Sequence, residues 1–220
     1  QGMFSNGADA LSRVSGRARL WLYEKLHYST VMLLKPWSAV SPRTHDEPIR
    51  AELFGIERLE QHAESLAAAQ HTTSKPTNDG RLEARLRDND RALRTAYHAT
   101  VASVRQARAV TPAAEWLLDN FHLVEEQVRA IRIDLPPGFH RQLPKLIDGP
   151  LKGYPRVFGL AWAFVAHTDS RFDPQMLCRF VRAYQRVQPL TIGELWAVAI
   201  TLRVVLVENL RRLAEGIGSS

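Results

Sequence analysis

Apolar residues recur at intervals of three and four positions along most of this 220-residue chain. That spacing places them on one side of an α-helix, whereas a half-buried β-strand requires strict alternation of apolar and polar residues. The chain contains neither an alternating stretch bounded by hairpin turns nor an internal repeat. The sequence therefore predicts an all-α fold, a multi-helix bundle.

Residues 1–45 differ from the rest of the chain in charge, because they hold six Lys/Arg against two Asp/Glu. Within them, residues 9–34 show the spacing of a basic amphipathic helix, and Pro36 and Pro42 then interrupt helix formation. Such a helix could bind an anionic membrane surface, bind a partner helix, or pack on its own domain. We predict a basic amphipathic N-terminal arm and linker over residues 1–45.

Residues 46–110 predict a long antiparallel helical hairpin. The first helix is expected at about residues 47–70, with Asp46 as its N-cap, and the second at about residues 81–109. The segment between them is rich in Thr, Ser, Pro, Asn and Asp, which is typical of a loop. Two long helices joined by a loop favour antiparallel packing against each other.

Residues 111–220 predict a compact helical core, continuous with the hairpin as one domain. Helix starts are marked by Thr111 before a proline, by Asp173 before a proline, and by Thr191 with Glu194 at capping-box spacing. Prolines and glycines make residues 133–155 an irregular segment. Helices are expected at about 112–131, 140–146, 156–167, 174–188 and 192–215.

The charge distribution argues against a nucleic-acid partner. The net charge is +6, but residues 46–220 hold 23 Lys/Arg against 21 Asp/Glu, so most of the excess lies in the N-terminal arm. A broad nucleic-acid groove requires basic residues clustered over the body of the domain. No stretch reaches the roughly 18–20 uninterrupted apolar residues of a transmembrane helix.

One helix carries a row of polar side chains that could have a function. Glu115, Asp119, His122 and Glu126 are spaced i, i+4, i+7 and i+11, so they project from one side of the helix. The row could be half of a di-metal carboxylate site, a polar network that ties helices together, or an interface with a partner. Residues that could join it from other helices are His167, Asp169, Glu194 and Glu208.

The irregular segment contains basic residues that could contact an anion. Arg141, Lys145 and Arg156 stand among prolines and glycines, although they could equally be solvated side chains on a structured loop. No phosphate-binding glycine motif, nucleophile elbow or zinc motif is present. We therefore expect no active site, cofactor or metal in this chain.

Several long strings carry a family resemblance, above all AWAFVAHTDSRFDP and QPLTIGELWAVAITLRVVLVENLRRLAE. They resemble the N-terminal cytoplasmic region of the cyclic β-1,2-glucan synthases, large enzymes of the bacterial inner membrane. The likeness extends from about residue 46 to about residue 215, and residues 72–110 match more loosely. Residues 1–45 show no match.

The resemblance implies a role within a larger enzyme that polymerises glucose from UDP-glucose. It implies a helical module on the cytoplasmic side of the inner membrane, whose partners are the remaining domains of the same synthase. The transferase motifs of the family are not in this chain, so no catalytic residue is carried over. Our leading hypothesis is a non-catalytic module for scaffolding, assembly or regulation.

Two alternatives remain open at this stage. The chain could be a stand-alone helical protein with a metal or small-ligand site around the polar row. It could also be a peripheral membrane adaptor that binds an anionic surface through residues 9–34.

Overall fold

The computed structural model describes residues 47–75, 81–135 and 138–217. The predicted all-α fold is confirmed, since this part of the chain is helical apart from one pair of two-residue strands. The predicted N-terminal arm, its helix at residues 9–34 and the Asp46 cap lie outside the described residues. The elements are α1 Ile56–Ala69, β1 Thr72–Thr73, α2 Arg81–Arg105, α3 Pro112–Asp134, α4 Phe139–Gln142, β2 Lys145–Leu146, α5 Arg156–Thr168, α6 Pro174–Val187 and α7 Ile192–Ile217.

Helix α7 is the centre of the bundle. Every residue from 197 to 210 is buried, so this stretch has no face turned to water. Helices α2, α3 and α5 pack around it, while α1 and α6 pack mainly on each other and form an outer pair. A helical stretch that is buried on all sides is stable only inside such a ring of neighbours.

The predicted helix starts are confirmed where the sequence offers a capping side chain. Thr111 Oγ1 accepts a hydrogen bond from the backbone N–H of Ala114 at 3.3 Å, and Asp173 caps α6. At the start of α7, Thr191 Oγ1 accepts from the N–H of Glu194 at 3.2 Å, and the Glu194 carboxylate accepts from the N–H of Thr191 at 2.8 Å. These reciprocal bonds form the expected capping box.

The first helix begins later than predicted. Residues 47–55 are not helical but form an extended segment, here called the strap, and α1 starts after Gly55. The strap directs its N–H groups to distant acceptors, since Ala51 donates to the carbonyl of Ala166 at 2.9 Å. Ile49 likewise donates to Asn209 Oδ1 at 2.6 Å. These tertiary bonds replace the helical ones, which is why the local pattern was misleading.

The long antiparallel pair of helices is not the one that the sequence predicted. Helix α1 packs against α6, whereas α2 packs against α7 and α3. The long antiparallel pair is therefore α2 with α3, in which Tyr97 stacks on Phe121 at 4.2 Å between ring centroids. Arg132 pairs with Asp90 at 2.8 Å further along the same two helices. The predicted boundary at residue 110 thus falls between two helices that pack together.

The irregular segment contains the strands that the sequence analysis missed. The helix expected at residues 140–146 ends at Gln142, because Pro144 removes a backbone donor. Lys145 and Leu146 then pair antiparallel with Thr73 and Thr72. A two-residue ladder gives no alternation long enough to detect in a sequence.

None of the helices in the described ranges combines the length and the apolar character that a bilayer-spanning helix requires. The longest of them, α2 and α7, both carry charged side chains within their central turns.

We predict that Gly159→Ala lowers the free energy of unfolding. A Cβ at this position of α5 would lie 2.8 Å from Gln70 Nε2, and Gln70 is held by a 2.6 Å hydrogen bond from the Tyr184 hydroxyl. Overpacking of this kind costs about 1–3 kcal/mol, which exceeds the gain in helix propensity of up to about 1 kcal/mol. Urea unfolding should show a net loss of about 1–2 kcal/mol.

Gly55→Ala is the matched control, because a Cβ there meets no atom within 4 Å. Gly55 is the N-cap residue of α1, where Ala is less favourable than Gly, so this variant should lose less than about 1 kcal/mol of unfolding free energy. Equal losses in the two variants would contradict the proposed clash with Gln70.

Candidate functional site

Two carboxylates are almost completely buried in the described part of the chain, and both belong to α7. Glu194 lies in its first turn and Glu208 toward its C-terminal end, with exposed fractions of 0% and 1%. A buried charge is tolerated only when it is paired and its hydrogen-bonding capacity is used. The partners of these two residues therefore define the polar centre of the molecule.

Glu208 is the hub of an arginine cluster. Arg85 of α2 donates to both carboxylate oxygens, from Nε at 3.0 Å and from Nη2 at 2.8 Å. Arg212 adds a bond from Nε at 2.9 Å, and Arg211 lies at 3.3 Å. Two-pronged arginine–carboxylate bonds of this kind are among the strongest hydrogen bonds in proteins.

The environment keeps Glu208 ionised. Burial is the largest single influence on its pKa and acts to raise it, but the hydrogen bonds and charge of Arg85, together with Arg212, outweigh burial. The net effect lowers the pKa of Glu208 to about 2. A carboxyl group in this state cannot donate a proton near neutral pH, so it is unsuited to general acid catalysis.

Aromatic rings surround the arginines of this cluster. Arg85 donates from Nη1 to the Tyr154 hydroxyl at 3.1 Å. Its guanidinium carbon lies 5.5–5.7 Å from the ring centroids of Tyr154, Phe158 and Trp162. Arg212 lies 5.1 Å from the Trp162 ring. These cation–π contacts shield the ion pairs from water and hold the guanidinium groups in position.

Glu194 forms a second buried pair, with Arg156 of α5. Arg156 donates from Nε to one carboxylate oxygen at 2.5 Å and from Nη2 to the other at 2.8 Å. Its remaining donors bind Gln188 Oε1 at 2.9 Å and the carbonyl of Pro189 at 2.8 Å. Every donor nitrogen of Arg156 is thus used to join α5, the end of α6 and the start of α7.

The network around Glu194 continues to the end of α1. Gln188 donates from Nε2 to the carbonyl of Gln70 at 3.0 Å, and the Tyr184 hydroxyl donates to Gln70 Oε1. The network of Glu194, Arg156, Gln188, Tyr184 and Gln70 therefore joins the end of α1 to α5, α6 and α7.

The predicted anion-contacting residues do not form a common surface. Arg156 is buried in the pair just described. Lys145 is also buried, and its ammonium group donates to the carbonyls of His140 and Leu143 at 2.9 and 3.3 Å and to that of Arg141 at 3.1 Å. The prediction is therefore wrong for Lys145 and Arg156, because their charges satisfy buried acceptors, and only the Arg141 side chain is exposed.

The polar row on α3 faces solvent. Glu115, Asp119, His122 and Glu126 are all exposed, and none of their side chains forms a hydrogen bond or ion pair with another residue in the described ranges. The polar-network interpretation of this row is wrong, because its side chains point away from the neighbouring helices. Its role as an interface stays a prediction.

The residues expected to join that row are engaged elsewhere. His167 and Asp169, at the end of α5, contact the strap: His167 Nδ1 lies 2.7 Å from the carbonyl of Glu52, and Asp169 pairs with Arg50 at 2.8 Å. Within the described ranges, no three His, Cys, Asp or Glu side chains converge as metal ligands. The metal-site alternative therefore has no support from these residues.

The sequence did not reveal that Arg85 and Arg156 are the partners of the two buried carboxylates. It also gave no sign of the polar residues that complete the two networks, Gln70, Tyr154, Tyr184 and Gln188. The available signal was the position of Glu208 directly after the apolar run of α7, since a carboxylate there requires a counter-charge. Which of the 29 Lys/Arg residues supplies it depends on helix packing and is not encoded locally.

The chain is similar in sequence to part of a bacterial enzyme. Over 171 residues, or 77% of this chain, it is 41% identical to the cyclic beta-(1,2)-glucan synthase NdvB of Rhizobium meliloti. This chain is therefore related to that synthase. The match spans 6% of the length of the synthase, and no protein-family model matches the chain.

We predict that Arg85→Met destabilises the bundle by leaving Glu208 buried with fewer partners. Breaking one side of a buried pair costs roughly 3–5 kcal/mol, and the remaining Arg212 reduces this to about 2–4 kcal/mol. Urea unfolding measures the loss, and the double variant Arg85→Met/Glu208→Leu should recover part of it.

Arg91→Met on the same helix is the control, because the Arg91 side chain is 78% exposed. It should change the free energy of unfolding by at most about 0.5 kcal/mol. A similarly small effect of Arg85→Met would show that the Glu208 pair does not stabilise the fold.

We predict that Glu208 contributes stability that is lost in acid. Its folded-state pKa of about 2 lies below the ordinary value of 4.5, so the unfolded state binds its proton first. The contribution is complete above about pH 4.5 and disappears as the pH falls toward 2, with a total of about 3 kcal/mol. Urea unfolding of the native chain and of Glu208→Gln between pH 5 and pH 3 tests this.

The difference in stability between the two proteins should shrink as the pH falls. Glu64→Gln is the control, because Glu64 is only half-buried and pairs with Arg186 at the surface. A native–Glu208→Gln difference that stays constant across this range would contradict the lowered pKa.

Proposed function

We propose that this chain is a non-catalytic helical module of a cyclic β-(1,2)-glucan synthase, used for assembly or regulation of the larger enzyme. The relation to NdvB supports the connection to the synthase. The single observation that carries the non-catalytic role is the use of the buried carboxylates, because Glu194 and Glu208 are both held in two-pronged arginine pairs.

The chemistry of glycosidic bonds supports this proposal. Cleaving such a bond requires a carboxylic acid whose pKa is raised, so that it can protonate the leaving oxygen. In Glu208 the arginines lower the pKa to about 2, and in Glu194 both oxygens accept from Arg156. The buried acidic groups are therefore committed to holding helices together.

We propose that the outward face of α3 contacts another part of the synthase. Glu115, Asp119 and Glu126 give this face three exposed carboxylates without a described partner, and His122 lies among them. The complementary surface would be basic, and charge pairs at such a rim would set orientation and association rate. The remaining domains of the same enzyme are the proposed partner.

The proposed location is the cytoplasmic side of the bacterial inner membrane, as the family resemblance implies. The nearly equal numbers of acidic and basic residues over 46–220 support a protein partner over a nucleic acid. The hypothesis of membrane binding through residues 9–34 concerns a segment outside the described residues and stays a prediction.

Incubation of the isolated chain with UDP-glucose tests the non-catalytic role. We expect no release of UDP and no glucan, whereas the full-length synthase under the same conditions supplies the positive control. Turnover by the isolated chain would overturn the proposal.

A charge-reversal experiment in the full-length synthase tests the proposed interface. The variant Glu115→Lys/Asp119→Lys/Glu126→Lys should reduce glucan synthesis several-fold while leaving the unfolding temperature of the isolated chain nearly unchanged, because exposed charges contribute little to folding. Glu57→Lys, an exposed acidic residue on α1, is the control and should retain activity. Full activity of the triple variant would contradict the interface.

A further inference from the structure

Two histidines and a phenylalanine form a cluster where the strap joins the bundle. Phe54 of the strap stacks on His167 at the end of α5, with ring centroids 3.9 Å apart and an interplanar angle of 11°. His62 of α1 contacts both rings edge-on, at 4.5 Å from His167 and 5.5 Å from Phe54. All three rings are half-buried.

His167 holds the strap through its side chain and its backbone. Its Nδ1 lies 2.7 Å from the carbonyl oxygen of Glu52, and a carbonyl only accepts, so this nitrogen carries a hydrogen. Its own carbonyl accepts from the N–H of Phe54 at 3.1 Å. One histidine therefore binds the strap on both sides of Leu53.

Few charges are available to neutralise a proton on this cluster. Arg58 lies 4.5 Å from the Phe54 centroid and pairs with Glu52. In the described part of the chain, no carboxylate oxygen lies within 4 Å of a nitrogen of His62 or His167. The other charged pairs on the elements around the cluster are Arg50 with Asp169, Arg179 with Glu60, and Arg186 with Glu64.

We propose that this cluster is an acid-sensitive clasp, which releases residues 47–55 from the bundle when the His62 imidazole is protonated. A proton on His62 places a positive charge on a half-buried ring whose centroid lies 4.5 Å from that of His167, and no carboxylate oxygen of the described residues lies within 4 Å of a His62 nitrogen to offset it. The His62 side chain then rotates into solvent, and Phe54 of the strap loses its edge-on contact with the His62 ring.

The direction of the pH dependence follows from His62. Burial lowers the pKa of His62, and the neighbouring His167 lowers it further. The released strap leaves His62 near its ordinary pKa of about 6.5, so the released state binds the proton more tightly. The clasp is therefore closed above that pH and opens as the pH falls below it.

Opening changes how the bundle is connected to the preceding chain. The strap links residue 46 to α1, and its anchors lie on α5 and α7, including Ile49 on Asn209 and Ala51 on Ala166. Nine freed residues add up to about 30 Å of reach between the bundle and whatever precedes it. This inference does not depend on the proposed role in the synthase.

Hydrogen exchange of the strap amides tests the clasp. The amides of Ala51 and Phe54 bind the end of α5, and amides of the buried stretch of α7 serve as an internal reference for global unfolding. Between about pH 7.5 and pH 5.5, after correction for intrinsic exchange, strap protection should fall relative to α7, because the released state binds the His62 proton more tightly.

Variants of His62 separate the clasp from general acid sensitivity. His62→Phe keeps a ring but cannot be charged, and His62→Gln is a second neutral replacement in case the first disturbs packing. Both should keep strap protection within about twofold across the same pH range. His122→Gln, which removes an exposed histidine from α3, is the matched control and should behave like the native chain.

Two results would overturn the clasp. The first is constant strap protection in the native chain over this pH range. The second is a loss of protection in both His62 variants equal to that of the native chain.

Discussion

Helix α7 buries three charged side chains, Glu194, Arg203 and Glu208, and the arrangement of the bundle follows from how they are neutralised. Such a helix has no face turned to water, so each charge on it needs a partner from a neighbouring helix. Each of the three helices that surround α7 supplies one such partner. The pairs are Glu208 with Arg85 of α2, Arg203 with Asp134 of α3, and Glu194 with Arg156 of α5. Apolar packing makes the centre stable, and the ion pairs determine which helix lies where.

The periphery is held by weaker interactions. Helix α1 is joined to α6 by Arg179–Glu60 and Arg186–Glu64, which are partly exposed and contribute little to stability. The strap is held by hydrogen bonds of its backbone, the buried Ile49 side chain, the partly exposed Arg50–Asp169 pair and the contact of Phe54 with two half-buried histidine rings. This gradient from a tightly paired centre to a more weakly held edge makes the outer pair and the strap the part of the described structure that opens most readily.

Local signals in the sequence were sufficient for most helices. Those introduced by Thr111, Asp173 and Thr191 begin as predicted, because the cap and the first turn lie within four residues of each other. The strap could not be predicted in this way, since Ile49 and Ala51 donate to residues more than 100 positions away. The same limit applies to the polar row on α3, whose spacing was visible but whose exposure depends on the neighbours of that helix.

The sequence by itself determined the helical class of the protein, the starts of its capped helices and its relation to a glucan synthase, because periodicity, capping and similarity are properties of contiguous residues. Glu194 and Glu208 were recognisable as polar residues of interest, but only the tertiary structure decided that arginines neutralise them. It also decided that α2 pairs with α3 and that Lys145 and Arg156 are buried. These outcomes rest on contacts between segments far apart in the chain, and the free energy of such contacts depends on the whole packing arrangement.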